Sequence, residues 1–163
     1  MKPGLGLALY QPEIAGNTGT LVRFSACWGV ALHLIHPLGF VWSGAALRRA
    51  GLDYHDHALV DHHDAWRDFQ MATQEKGQRR VAAVPGQGPS YWDFAFTSQD
   101  VIVLGAEQKG LPLAALEDCH ACVHIPMRPG SRSLNLAMAG ALVLGEAVRQ
   151  TRLTPPFRAG QTE

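Results

Sequence analysis

Short apolar runs alternate with longer mixed stretches along this chain. Residues 5–10 (LGLALY) have the length of a strand and are broken by Gln11-Pro12-Glu13. Asn17-Thr18-Gly19 can cap a helix, because short polar side chains accept bonds from the free N–H groups of a first turn. That helix is predicted to run to about Trp28, with Gly29 as its stop. A second strand follows at 30–35 and ends at Pro37. Turn residues and a short helix around 45–50 lead to a brief third strand at 58–60. Asp61 or His62 opens a helix to about Glu75, closed by Lys76-Gly77. Further strands are predicted at 80–84, 101–104 and 121–125, with a helical turn at 113–116. The last helix spans 133–150 and carries hardly a charge before Glu146; the tail from Thr151, with Pro155-Pro156, reads as loose.

Strands that alternate with helices argue for an α/β domain, with a mostly parallel six-stranded sheet and helices on both faces. The wholly apolar run at 101–104 fits a buried parallel strand. No repeat or linker divides the chain, so the expectation is one domain over 1–152 and a loose tail over 153–163. Ligands of such sheets bind beyond the carboxyl ends of the strands. The loops at 85–90, 105–112 and 126–132 lie there, and all three are rich in Gly and Pro. Such loops let main-chain groups come close to a ligand.

Composition adds limits. A chain of 163 residues with 47% hydrophobic and 17% charged residues can build a core and is not a disordered segment. No run approaches the roughly 18 apolar residues of a membrane span, and the N-terminus lacks a signal-peptide pattern, so the cytoplasm is the expected location. Net charge is zero, yet 11 Arg stand against 3 Lys. Arginine forks suit phosphate, so a local nucleic-acid contact stays open. Cys27, Cys119 and Cys122 do not make a disulfide framework. Cys119-x-x-Cys122, near His120 and His124, lacks the second pair a structural zinc site needs, so no metal is expected. The pairs His55/His57 and His62/His63 read as solvated surface.

Several common α/β chemistries are excluded. The first strand–helix junction, QPEIAGNTG, is not the dinucleotide fingerprint, and neither a P-loop nor a nucleophile elbow occurs. Three polar clusters remain at the loop edge. Asn17 and Arg23 share the start of a helix, where anions are favoured. Glu107 sits between Gly105 and Gly110, and Ser131-Arg132-Ser133-Leu134-Asn135 opens the last helix. Each has a purely structural reading: a cap, a solvated charge, a helix start. Their common position points to a shared site.

Four blocks carry a resemblance over nearly the whole chain: LYQPEIAGNTGTLVR (9–23), LRRAGLDYHDH (47–57), LGAEQKGLP (104–112) and IPMRPGSRSLNLAMA (125–139). With them the chain resembles the SPOUT class of S-adenosylmethionine-dependent RNA methyltransferases. Within that class it is similar to the small single-domain tRNA 2′-O-methyltransferases that act on the wobble nucleotide of the anticodon stem-loop. The resemblance implies a deep trefoil knot over roughly 75–150, although knots are almost absent from proteins in general. It implies cofactor contacts from Val84, Gly105, Glu107, Ile125, Met127, Ser133 and Leu134, and no metal. It implies a catalytic group of Arg23, Asn17, Glu107, Ser133 and Asn135, in a homodimer where Arg23 reaches the partner's cofactor. RNA phosphates would be held by Arg48, Arg49, Lys109, Arg128 and Arg132. A 2′-O-methyltransferase acting on ribosomal RNA and a non-catalytic dimeric RNA-binding protein of the same fold are the alternatives.

The implied reaction moves a methyl from a sulfonium to a ribose hydroxyl. A guanidinium keeps its proton at neutral pH and is a poor base. Arg23 is therefore expected to hold a phosphate or the developing alkoxide, while the proton leaves to a phosphate oxygen or to water.

Overall fold

The computed structural model describes residues 4–43, 45 and 59–153. Six strands form one sheet: β1 (Gly6–Tyr10), β2 (Ala31–Ile35), β3 (Val60–His63), β4 (Arg79–Ala83), β5 (Asp100–Leu104) and β6 (Ala121–Val123). Their order is β3-β2-β1-β5-β4-β6, and every pairing is parallel. Helices α1 (Ala15–Trp28), α2 (Trp66–Glu75), α3 (Leu113–Glu117) and α4 (Leu136–Thr151) connect or follow the strands.

The two-residue period of a strand sorts side chains between the faces. Leu7, Leu9, Leu32, Leu34, Ile102 and Leu104 pack with Leu21 and Val22 of α1 and with Val143, Leu144 and Ala147 of α4. Ala8, Ile35, Val101 and Val103 face the other way and pack on Phe69 of α2. Gly140 allows α4 to lie close on α1, since a Cβ there would stand 2.8 Å from Leu21 Cδ2 and 3.0 Å from Leu104 Cδ1. The chain runs outward from β1 to β2 and β3, then returns to build β4 and β5 on the other side. The direction of winding thus reverses between β1 and β5, the kind of junction where such sheets bind ligands.

Four elements begin at other places than the sequence expectation. Helix α1 starts at Ala15 with Ile14 as its cap residue, so Asn17 lies inside the first turn and caps nothing. Gly29 ends it as expected, with φ 66° in the left-handed region. The third strand is at 60–63, not 58–60, and α2 opens only at Trp66, where Asp68 accepts a bond from the Ala65 N–H at 3.0 Å. Pairing with β2, from Leu32↔Val60 to Ile35↔His63, draws Asp61 and His62 into the sheet and overrides their reading as a helix start. The last helix begins at Leu136, not at Ser133: the side chain of Asn135 accepts from the Ala137 and Met138 N–H groups and sets the start. The short helix expected around 45–50 lies, apart from Ala45, outside the described residues, as do His55, His57 and the tail beyond 153.

The same pairing corrects the reading of His62/His63. His62 is exposed, but its Nδ1 lies 2.9 Å from His36 Nε2, and Trp42 packs edge-on against its ring. His63 is buried, and its Nε2 lies 3.0 Å from Nδ1 of the buried His33. Burial pushes the His33 imidazole down to about 4, with His63 adding to the shift and Asp61 opposing it. The folded protein therefore keeps His33 neutral while the unfolded chain takes a proton below about pH 6.5. Its contribution to stability is complete above that pH and is lost as pH falls towards 4. The loss at pH 4 is about 3 kcal/mol. Urea unfolding at pH 7 and pH 4 should show it, and His33→Leu should flatten the wild-type dependence by a similar amount.

Candidate active site

The turn after β5 organises the loop-side edge. It is closed by a pair of main-chain bonds, Ala106 N–H to Gly110 O at 3.1 Å and Gly110 N–H to Ala106 O at 2.8 Å. Gly110 has φ 67°, which suits glycine. At its tip Glu107 turns back onto the start of α1. Its Oε2 accepts from the Glu13 N–H at 2.7 Å, and its Oε1 accepts from the Ile14 N–H at 3.2 Å and from Asn17 Nδ2 at 3.3 Å. Free N–H groups and the positive end of the helix dipole favour an anion at this place. The anion comes from a residue ninety positions away in the chain, which no local pattern reveals. In return Glu13 Oε2 accepts from the Gln108 N–H at 2.7 Å.

A second relay brings in α4. Asn135 Nδ2 donates to Asn17 Oδ1 at 2.8 Å, while its Oδ1 caps α4 through the Ala137 and Met138 N–H groups at 2.8 and 3.3 Å. Glu107, Asn17 and Asn135 therefore form one connected line across α1, the β5 turn and the start of α4. With an oxygen and an amide nitrogen each, the two asparagines can pass a bond in both directions.

Beside this line opens a cleft of about 820 Å³. Val84, Gly105, Glu107, Ile125, Met127, Ser133 and Leu134, the expected cofactor contacts, all line it. So do Asn17, Asn135, Lys109 and Arg132. The sequence reading missed Ile14, Pro85, Gln108, Leu136 and Ala139 among the lining residues, although the loops that carry several of them had been singled out. The walls combine apolar side chains with exposed main chain, a mixture suited to a flat ring held through backbone groups. Gly105 is required here by close approach: a Cβ would stand 2.3 Å from Gly110 C and from Leu111 N.

The sequence pattern of the SpoU rRNA methylase family matches residues 4–145. The chain belongs to the SpoU rRNA methylase family. It is 47% identical over 147 residues to a tRNA (cytidine(34)-2′-O)-methyltransferase of Ancylobacter novellus, covering 90% of this chain and 93% of that relative. Among solved structures, one described as giving structural insights into the 2-OH methylation of C/U34 on tRNA superposes with a TM-score of 0.84 at 41% identity. That match covers 91% of this chain and 97% of the other. An AdoMet-bound rRNA methyltransferase from Sinorhizobium meliloti superposes with a TM-score of 0.81 at 25% identity, covering 91% of this chain but 57% of that one.

Two further expected residues of this SpoU-family chain, Arg23 and Arg128, do not line the cleft. Arg23 is exposed on α1 and does not line the cleft. It is not at one helix end with Asn17, because six residues of helix separate the two and turn them to different sides. Ser133 is exposed at the cleft rim ahead of α4. Arg128 is exposed in the loop after β6, and Arg48 and Arg49 lie outside the described residues. Cys119 donates to Ala115 O at 3.3 Å, and burial pushes its thiol up to about 12, the behaviour of an inert packed cysteine.

Proposed function

We propose that this protein is an S-adenosylmethionine-dependent 2′-O-methyltransferase that acts on the wobble nucleotide of tRNA as a homodimer. The observation that carries the reading is the convergence of three separated sequence blocks on one cleft through the Glu107–Asn17–Asn135 line. The cofactor supplies an activated methyl on a sulfonium. The residues present suit it, with main chain at Gly105 and apolar walls at Leu104, Ile125, Leu134 and Leu136. Transfer would form the bond from the ribose 2′-oxygen to the methyl carbon as the carbon–sulfur bond breaks to leave a neutral thioether, with the hydroxyl proton passing to a phosphate oxygen or to water. The chain's own task is to hold the reacting oxygen in line and to steady its developing charge. Glu107 is committed to α1, so its part is positioning the β5 turn.

The tRNA reading is favoured over ribosomal RNA by identity. The chain is 47% identical to the tRNA-directed relative and 25% identical to the S. meliloti rRNA enzyme. We place the protein in the cytoplasm as one domain over 1–152 with a knot over 75–150. No helix among the described residues is long and apolar enough to cross a membrane. The 85–90 loop lies against the chain just after β6, with Ser90 bridged to His124.

Dimerisation is supported by apolar exposure. Met138 and Leu142, one turn apart on α4, are 59% and 40% exposed, Leu134 just ahead of the helix is 40% exposed, and Ile14 is 51% exposed beside the cleft. Arg23 is exposed and does not line its own subunit's cleft, and it would serve the partner's. Lys109, Arg128 and Arg132, with Arg48 and Arg49, would hold RNA phosphates, so binding should weaken with salt.

Labelled methyl transfer to total small RNA, followed by mapping of the modified nucleotide, tests the activity. Arg23→Ala should lower kcat by at least about a hundred-fold with cofactor affinity unchanged, as expected for a group that steadies charge in the transition state. Arg23→Lys should keep part of the rate. Loss of cofactor affinity together with activity, or a monomer by sedimentation at micromolar concentration, would overturn the shared-site reading.

A further inference from the structure

On the other side of the β5 turn from the cleft lies a smaller cavity of about 290 Å³. Tyr10, Gln11, Leu38, Lys109 and Pro112 are among its walls, and it shares Ala106, Lys109 and Gly110 with the cleft. The two spaces are therefore neighbours across one thin turn. At the floor stands Gln11, the residue after β1, half-buried and with φ 45°. A non-glycine residue in the left-handed region is uncommon, and such residues gather at ligand sites. Its N–H is tied to Ile35 O at 2.9 Å, which fixes the backbone. Among the described residues its amide is held by one bond, to His36 O at 3.4 Å, near the outer limit of a hydrogen bond, so a ligand can take it over.

We propose that this cavity receives the base of the nucleotide being methylated, and that Gln11 reads that base as a pyrimidine. The inference rests on the function proposed above. A ribose whose 2′-oxygen faces the cleft carries its base on the adjacent carbon, so the base must enter a space next to the cleft. A single-stranded base is read by stacking and by bonds to its Watson–Crick edge. Cytosine offers an N4–H donor beside the N3 acceptor, and uracil an O4 acceptor beside the N3–H donor. A carboxamide has one donor and one acceptor, and half a turn exchanges them. Gln11 therefore matches either pyrimidine with the same side chain. The small volume, at the low end for ligand pockets, suits one six-membered ring between Tyr10 and the apolar wall of Leu38 and Pro112. Lys109, exposed at the shared rim, is placed for a neighbouring phosphate.

The test uses the full chain and anticodon stem-loops with C, U, A or G at the target position, with kcat/KM measured for each and cofactor affinity measured by calorimetry. Wild type should prefer both pyrimidines to both purines. Gln11→Glu has acceptors only, so it keeps the bond from cytosine N4–H or uracil N3–H and loses the bond to cytosine N3 or uracil O4. It should lower kcat/KM for both pyrimidines by about ten-fold, the worth of one base contact, and narrow their lead over purines. Gln11→Gly fits the backbone without strain, so it guards against misfolding. It should keep cofactor affinity while lowering both pyrimidine rates and narrowing their lead over purines. Unchanged pyrimidine rates in Gln11→Glu with wild type active, or rates that fall only with cofactor affinity, would overturn the subsite. A wild type that methylates none of the four stem-loops would instead overturn the proposed function, and the subsite with it.

Discussion

Gly105→Ala is expected to abolish cofactor binding, with a loss of affinity of at least about a hundred-fold. It should also cost about 3 kcal/mol of stability, the scale of overpacking in a tight site. The added Cβ would meet Gly110 C and Leu111 N at 2.3 Å and Gly110 Cα at 2.8 Å. These are backbone atoms and cannot rotate away, so the paired turn from Ala106 to Gly110 must open. Opening it moves Glu107 off the first N–H groups of α1 and slackens the line to Asn17 and Asn135. Gly16→Ala is the control. No atom lies within 4 Å of a Cβ built there, and it sits in the first turn of α1. Replacing that glycine should leave binding intact and stabilise by up to about 1 kcal/mol. Calorimetric titration and urea unfolding of both variants check the pair. Unchanged affinity in Gly105→Ala would show that the cofactor binds elsewhere.

The second large effect lies at the far end of the same strand. Asp100 opens β5, is fully buried, and accepts from Arg79 Nε and Nη2 at 2.7 Å each and from the Thr97 N–H and hydroxyl at 2.9 Å each. Arg79→Ala leaves that carboxylate in the core with two of its four donors gone. A buried charge stripped of its partner costs about 3–5 kcal/mol. The double variant Arg79→Ala, Asp100→Asn should recover part of the loss, because the stranded charge is gone. Denaturant midpoints for the two variants would decide it, and equal stability would show that Thr97 and water alone satisfy Asp100. Cofactor affinity of the folded fraction should persist, since β5 holds the pair roughly 16 Å from the cleft at about 3.3 Å per residue.

These sites differ in how far they could be read from the sequence. The apolar runs of β1, β2 and β5 are legible because burial on both faces leaves few polar positions in them, His33 in β2 and Asp100 at the start of β5 being exceptions. The loops at 105–112 and 126–132 stand out through their Gly and Pro, and the residues in them do line the cleft. Strand β3 was misread because VDHH has no apolar alternation; the edge of β2 recruits it. Asn17 looked like a cap by type, yet the capping group is Glu107. The cavity around Gln11 left no mark in composition, since it exists only where loops from three strands meet.

Local sequence determined the strand segments, the stop of α1 at Gly29 and the blocks that place the chain in its family. Those properties depend on burial period and backbone freedom within a few residues. Tertiary structure alone decided that β3 joins the sheet, that Glu107 holds α1, that Asn17 meets Asn135, and that Arg23 is not among the residues lining the cleft. Each of these depends on groups brought together from up to 118 positions apart, as Asn17 and Asn135 are. Hydrogen bonds across such separations form only once the sheet has set the positions of the loops.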